Sequence, residues 1–320
     1  MKVTVAVRTF NRPELFKEAL ASIQLQSHTD WEVIIFDDGA TDINFNIYKK
    51  FKETNPDKRV LYLTTNEPRG LYKPSWLIAP DLANGEIIVR LDDDDLLAED
   101  CLEFLSKAYT ENPELDFSYG SSVSFNDENN LIEIIQTRNP FEHPKTHHEW
   151  AAYTIPNNHP WYEPWAFYRD YYTEPKHLTS IIHCAKDNMF CVFHTYVMRT
   201  SSVKRVKDKI TITSNFVDDL EFMGSLDYLG LGQASIKKVL SYIRVHNQGR
   251  ISDNGKIIEG ENIFNENFRI RDKVDHLRTS GFLSKVIPVV FPDNKNEGVT
   301  DELKDTFSSY KQRIFDIVNS

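Results

Sequence analysis

Cysteine is scarce in this chain. Three in 320 residues, Cys101, Cys184 and Cys191, form neither a CxxC metal pair nor an even-numbered disulfide framework. A zinc ribbon and a disulfide-stapled scaffold are therefore disfavoured, and a reducing compartment is the simplest expectation. Basic charge is also short: 37 Lys and Arg stand against 48 Asp and Glu, a formal net charge of -11. That argues against a broad nucleic-acid or anionic-membrane footprint and leaves room only for a local basic groove. No apolar run approaches the roughly 18 residues of a membrane span. The opening Met1-Lys2-Val3-Thr4-Val5-Ala6-Val7-Arg8 is broken by charge too soon for a signal peptide. A cytoplasmic protein with no transmembrane segment is expected. Internal repeats, low-complexity linkers and an HExxH pair of histidines are missing as well.

What is present suffices for one large or two modest domains. Hydrophobic residues at 40% and charged residues at 27% are usual for a globular chain with a proper core. Aromatics are enriched and unevenly spread.

The first third alternates strands and helices. Residues 3–7 are a β-branched run that reads as a buried strand. Asn11-Arg12-Pro13-Glu14 then offers a capping side chain, a proline suited to a first helical turn and an early acid. Leu15, Phe16, Ala19, Leu20 and Ile23 follow at helical spacing. Residues 31–36 (WEVIIF) make a second buried strand, closed by Asp37-Asp38-Gly39. A helix at 45–52, a strand at 59–63, a helix at 75–83 and a strand at 86–91 (EIIVRL) continue the pattern, and the last strand runs directly into Asp92-Asp93-Asp94-Asp95. Alternation of this kind implies an α/β, doubly wound sheet. Ligands of such sheets sit beyond the carboxyl ends of strands. Three polar clusters fall there: Thr9-Phe10-Asn11, Asp37-Asp38 and the aspartate run.

From residue 116 the texture changes. Residues 117–125 and 131–137 look like a strand pair around a polar turn at 126–130. A stretch rich in aromatics and histidine spans 141–194. Residues 189–199 are strand-like, 218–229 helical and 239–245 strand-like. A charged helix near 262–279, an apolar run at 286–291 and a last helix at 300–318 complete the chain.

Four successive carboxylates repel one another unless they share a cation. Oxygen ligands suit a hard divalent ion, Mg²⁺ or Mn²⁺, that keeps positions open for phosphate oxygens. The plainer reading is a solvated acidic turn capping a helix that begins near Leu96-Leu97. Placement at the end of a buried strand favours the metal.

Three segments of the first half, VTVAVRTFNRP at 3–13, FDDGATD at 36–42 and RLDDDDLLAED at 90–100, together resemble the opening of a family 2 inverting glycosyltransferase with the GT-A fold. Asp218-Asp219-Leu220-Glu221-Phe222 resembles that family's acidic catalytic motif, and Tyr242-Ile243-Arg244-Val245-His246 with Arg250-Ile251-Ser252 resembles its closing Arg-x-His segment. The resemblance covers roughly residues 1–253. It implies a Rossmann-like, doubly wound mixed sheet with a helical C-terminal extension. Residues 1–115 would be the nucleotide-sugar-binding half, 116–255 the acceptor-binding and catalytic half of the same domain, and 256–320 the extension.

The resemblance also implies roles. Thr9 and Phe10 line the nucleobase pocket, beside Arg12 of the same segment, and Asp38 contacts the base. Asp92 is the first acid of the DXD motif, near the ribose, and Asp94 the second and the direct metal ligand. Asp93 and Asp95 support them or cap a helix. Asp219 is the general base that takes the acceptor hydroxyl's proton, with Asp218 the alternative; the plainer reading of the two is a pair of acids opening a helix. His246 completes the metal site or meets the diphosphate, in a neighbourhood that Arg244 and Arg250 make suitable for an anion. The implied cofactor is Mn²⁺ or Mg²⁺, and the implied donor a nucleoside diphosphate sugar, with UDP the favoured nucleotide.

The chain departs from the pattern in two places. The Arg-Asn pair that family members often carry before the DXD strand falls on Trp76 and Leu77, with Lys73 or Arg69 as substitutes for the arginine. Residues 141–172, holding Trp150, Tyr153, Trp161, Tyr162, Trp165, Phe167, Tyr168, Tyr171 and Tyr172, have no counterpart. They are either an acceptor platform for stacking or a loop packed on the core. The acceptor is expected to be a saccharide or glycolipid. A hydroxymethylated nucleobase in DNA is the alternative, favoured by the basic segment at 199–209 and opposed by net charge. A non-catalytic sugar-nucleotide or carbohydrate-binding module is the third reading.

Overall fold

Strands β1 (Val3–Thr9), β2 (Trp31–Asp37) and β4 (Ile87–Asp92) are buried nearly throughout. That explains why their sequences read as continuous apolar runs rather than alternating ones: a sheet covered on both faces needs apolar side chains pointing both ways. The computed structural model describes residues 1–39, 41–65, 72–135, 195–210, 222, 226, 231–246 and 298–320.

Besides these strands, the described elements in chain order are α1 (Pro13–Gln24), α2 (Asp42–Thr54), β3 (Val60–Thr64), α3 (Tyr72–Leu82), β5 (Leu96–Leu97), α4 (Cys101–Glu111), β6 (Phe117–Asn126), β7 (Leu131–Ile135), β8 (Tyr196–Arg199), α5 (Thr200–Val206), β9 (Gln233–Val245) and α6 (Asp301–Asn319). The strands form one mixed sheet in the order β3-β2-β1-β4-β8-β6-β9-β5, with β7 paired to β6. Its first four strands are parallel. Strand β8 runs antiparallel to both β4 and β6. Two cores flank the sheet. One gathers Val3, Val5 and Val7 with Phe16, Leu20, Leu102 and Phe307, from α1, α4 and α6. The other gathers Ala6, Ile34, Phe36 and Ile88 with Trp76 and Val203, from α3 and α5. The result is the three-layer α/β arrangement with a mixed sheet that the sequence implied, and a helical C-terminal segment in α6.

Three local expectations change. The capping side chain expected at Asn11 is not used: Asn11 has φ 51°, and α1 is N-capped at Arg12 without a side-chain bond. Asn11 is spent on the left-handed turn that swings the chain from β1 into the helix. The acids at 92–95 do not cap a helix at Leu96. Leu96 and Leu97 pair with Tyr242 and Ser241 of β9, and the helix starts only at Cys101. Both leucines are fully buried in the main core beneath α1 and α6, although β5 is the last strand of the sheet. Strand β9 begins at Gln233 rather than 239, because its first residues pair with Phe117–Gly120 of β6 across a register shift at Gly120 to Ser122. The expected charged helix near 262–279 and the apolar run at 286–291 lie outside the described residues.

Buried polar anchors fix the strand ends. Glu32, fully buried on β2, accepts from Thr4 Oγ1 at 2.7 Å, Asn84 N at 2.6 Å and Arg59 Nη1 at 2.9 Å. Burial raises its carboxyl pKa, but those donors outweigh burial and hold it below the ordinary glutamate value. Gly85 crosses so close to β1 that a Cβ there would lie 2.5 Å from Thr4 N.

Candidate active site

The carboxyl ends of β1, β2 and β4 bring Thr9, Asp38 and the aspartate run together, because β1 pairs in register with both neighbours: Thr9 lies opposite Asp37, and Arg8 opposite Asp92. Asp38 N donates to Thr9 O at 2.9 Å, and Asp38 is buried. Asp37 ends β2 and accepts from the Tyr62 hydroxyl. Burial raises its pKa, partly offset by Tyr62.

The four aspartates face different ways. Asp92 receives Arg90 Nη2 at 2.9 and 3.1 Å and Arg8 Nε at 3.3 Å. Asp93 turns inward. Its carboxylate accepts from Thr9 Oγ1 at 2.8 Å, Phe10 N at 3.1 Å and Arg12 Nη1 at 3.2 Å. Burial, with Asp94 beside it, pushes the Asp93 pKa up to about 7 despite those donors. Asp94 Oδ2 meets Arg12 Nη1 and lies 3.2 Å from His246 Nε2. Asp95 closes the turn through its N–H to Asp92 O at 3.2 Å, and its Oδ1 accepts from Arg244 N at 3.1 Å.

Asp94 and His246 are the pair best placed to hold a divalent cation. Two donors bound side by side to one ion at about 2.1 Å each would stand about 3.0 Å apart, close to the separation seen. Among the described residues no three His, Cys, Asp or Glu side chains converge. Two protein ligands suit an ion that completes its shell with water and phosphate oxygens. In this structure the Arg12 guanidinium supplies positive charge at the same Asp94 oxygen.

Arg244 points into the protein rather than out of it. Its side chain is 5% exposed, engaged by Glu18, and its Nε donates to Asp94 O at 3.3 Å. Asp218, Asp219, Arg250, Arg69 and the aromatic stretch 141–172 lie outside the described residues, and Lys73 is described only as part of α3.

Sequence reasoning missed Arg8, Arg90 and Glu18. Where an arginine was sought at position 76, Trp76 lies instead, with the Arg90 guanidinium 4.4 Å and that of Arg8 5.9 Å from its ring centroid. The available signal was an arginine interrupting an otherwise apolar buried strand, twice, each time next to the strand's polar end. Such a charge is costly without a partner.

A family model described as Glycosyl transferase family 2 matches residues 4–203. A curated glucosyltransferase of Campylobacter jejuni, named GalNAc(5)-diNAcBac-PP-undecaprenol beta-1,3-glucosyltransferase, is 34% identical over 112 residues, 34% of this chain and 35% of that protein. An uncharacterized glycosyltransferase of Nostoc is 31% identical over 96 residues, 30% of this chain and 29% of its own. The chain thus spans about a third of the length of these curated relatives. Among solved structures, S. aureus TarS 1-349 in complex with UDP-GlcNAc superposes with a TM-score of 0.50 at 16% identity, over 99% of this chain and 82% of that one. That likeness is one of fold, the GT-A architecture.

Proposed function

Because the chain belongs to glycosyl transferase family 2, we propose that it is a metal-dependent inverting glycosyltransferase that moves a sugar from a nucleoside diphosphate donor, with UDP favoured, to a hydroxyl of a saccharide or glycolipid. The observation that carries this reading is the approach of Asp94 Oδ2 to His246 Nε2 at 3.2 Å, at the carboxyl edge where Asp38 and Asp92 also end.

In this reading residues 1–115 bind the donor, 116–255 bind the acceptor and supply the base, and 256–320 form the extension. Asp38 accepts from an imide or amine N–H of the base, and Thr9 and Phe10 shape that pocket. Asp92, fixed by Arg8 and Arg90, faces the ribose side. Asp94 and His246 would hold Mn²⁺ or Mg²⁺, which would supply positive charge to offset that on a diphosphate leaving group. Arg12, which meets Asp93 and Asp94, would add positive charge on the donor side together with Lys73 and Arg250. Asp219, or Asp218 beside it, takes the proton from the acceptor hydroxyl as that oxygen attacks the anomeric carbon from the face opposite the leaving group. One carboxylate is enough for such a displacement, unlike glycoside hydrolysis, where two flank the bond.

The saccharide or glycolipid acceptor is favoured by the Campylobacter jejuni relative, whose name places its glucose on a lipid-linked glycan. Of the five basic residues in the segment that suggested a DNA acceptor, two are occupied within the protein, Arg199 donating to the carbonyls of Leu115, Tyr109 and Asn112 and Lys207 pairing with Asp81, while Lys204, Arg205 and Lys209 are exposed.

The test is hydrolysis or transfer across a panel of nucleotide sugars with Mn²⁺ or Mg²⁺. Metal-dependent nucleoside diphosphate release that disappears in Asp94→Ala supports the enzyme. A metal-replete protein inert toward every donor would point to a binding module instead. Asp219→Asn should abolish transfer and leave donor binding intact.

A further inference from the structure

The end of β9 grips the aspartate turn at three points. Arg244 N donates to Asp95 Oδ1 at 3.1 Å, Arg244 Nε donates to Asp94 O at 3.3 Å, and His246 Nε2 stands 3.2 Å from Asp94 Oδ2. The far side of the same guanidinium is anchored too. Its Nη2 donates to Glu18 Oε2 of α1, and that oxygen also receives Lys311 Nζ of α6. The Phe125 ring packs against both cations, with its centroid 4.6 Å from the Arg244 guanidinium and 5.6 Å from Lys311 Nζ. Helix α6 is itself seated firmly. Phe307, Tyr310 and Ile314 are buried, and the Tyr310 hydroxyl donates to Leu97 O at 2.6 Å, two residues past the aspartate run.

We infer that Arg244 is a positioning residue for Asp94, and that the C-terminal helix holds it in place through Lys311 and Glu18. The planar guanidinium spans two acceptors at once, the Asp94 carbonyl and the Glu18 carboxylate, so the Glu18 oxygen fixes how Arg244 presents its Nε. Lys311 restrains that oxygen and offsets its charge. Without Lys311, Glu18 gains freedom to rotate, and the backbone that carries Asp94 loses its outer support. Helix α6 is then a working part of the donor end. Groups that orient a ligating side chain commonly matter about 10–100-fold in metal affinity. The inference rests on the reading that Asp94 holds a cation, and it replaces direct diphosphate contact by Arg244 with a supporting role.

The experiment is titration of the full chain with Mn²⁺ alone, following free Mn²⁺ by electron paramagnetic resonance, for wild type, Lys311→Met, Lys311→Arg and Arg313→Ala. Lys311→Met should weaken binding about tenfold, with Lys311→Arg recovering most of it. Arg313→Ala removes an exposed pair with Glu99 from the same helix and should bind as wild type does. Melting without metal controls for folding, and Glu18→Gln, expected to weaken binding similarly, serves if Lys311→Met does not fold. Lys311→Met binding Mn²⁺ like wild type would overturn the inference while leaving the metal site standing. Equal weakening by Arg313→Ala would overturn it as well, since loosening the helix anywhere would then suffice. A wild type that takes up no Mn²⁺ would remove the metal site itself, and the inference with it.

Discussion

Asp94 Oδ2 and His246 Nε2 lie 3.2 Å apart although 152 positions separate them in the chain. The meeting follows from strand pairing. Leu96 and Leu97 run antiparallel to Tyr242 and Ser241, so the residues just before one segment face those just after the other. The neighbouring aspartates have further partners of their own: Arg90 and Arg8 for Asp92, Thr9 and Phe10 N for Asp93, and Arg244 N for Asp95. In the proposed function the metal therefore falls to Asp94 alone among them.

That assignment is testable by comparing Asp93 with His246. His246→Ala is expected to weaken Mn²⁺ binding at least about tenfold, no less than the loss of an outer partner costs. Asp93→Asn should instead leave Mn²⁺ binding near wild type and change the pH dependence of stability. The Asp93 pKa is raised from 3.8 to about 7, so ionising this buried carboxyl costs wild type stability as the pH rises through that range. The amide, which cannot ionise, avoids that loss. Calorimetric Mn²⁺ titration and urea unfolding of the two variants across that range check both halves.

Glu32 sets an acid limb of stability. Its folded pKa lies below the unfolded value of 4.5, so its contribution is complete above about pH 4.5 and is lost as the pH falls through the folded value. Glu32→Gln is expected to lose about 2 kcal/mol near neutrality and to show a flatter decline as the pH falls below about 4.5. Urea midpoints measured across that window give the comparison, and parallel curves for the two proteins would contradict it.

Gly85→Ala should be destabilising by about 1–3 kcal/mol. The added Cβ meets the Thr4 nitrogen at 2.5 Å and the Val3 carbonyl carbon at 2.9 Å. Both are backbone atoms of a central strand, with no side-chain rotation to relieve the contact. Thermal unfolding with and without the substitution reads the effect directly.

Phe307→Ala tests whether α6 belongs to the main core. Phe307 is buried between Phe125 and Tyr242, with ring centroids 5.1 and 4.6 Å away. Truncation should cost about 3–5 kcal/mol, in a single cooperative transition. A separate early transition with an unchanged main one would show the helix to be an independent appendage.

Much of this arrangement was legible in the sequence because it is local. Strands β1, β2 and β4 are apolar runs that stop at polar clusters, and a doubly wound sheet puts such stops on one edge. The approach of His246 to Asp94 was legible only through the order of motifs in the resemblance, since nothing about an isolated histidine at 246 points to an acid at 94. What stayed hidden was long-range pairing. The first half of β9 alternates polar residues and becomes a strand only because β6 lies beside it. Leu96 and Leu97 look like a helix's first turn and are a strand for the same reason. Arg8 and Lys311 carry charges whose partners, Asp92 and Glu18, are identified by folding, whereas Arg90 and Asp92 are i and i+2 on one strand and share a face by spacing alone.

The most direct measurement of the central claim is thermal unfolding with UDP in the presence of Mn²⁺ or of EDTA, for wild type and Asp94→Ala. A ligand at about 100 times its Kd adds about 2.7 kcal/mol of stability, a Tm rise of roughly 5 °C for a chain of this size. The expected result is that rise in wild type with Mn²⁺, little with EDTA, and little in Asp94→Ala under either condition. Equal stabilisation by UDP with and without metal, or a full metal-dependent rise in Asp94→Ala, would contradict a donor site built on Asp94.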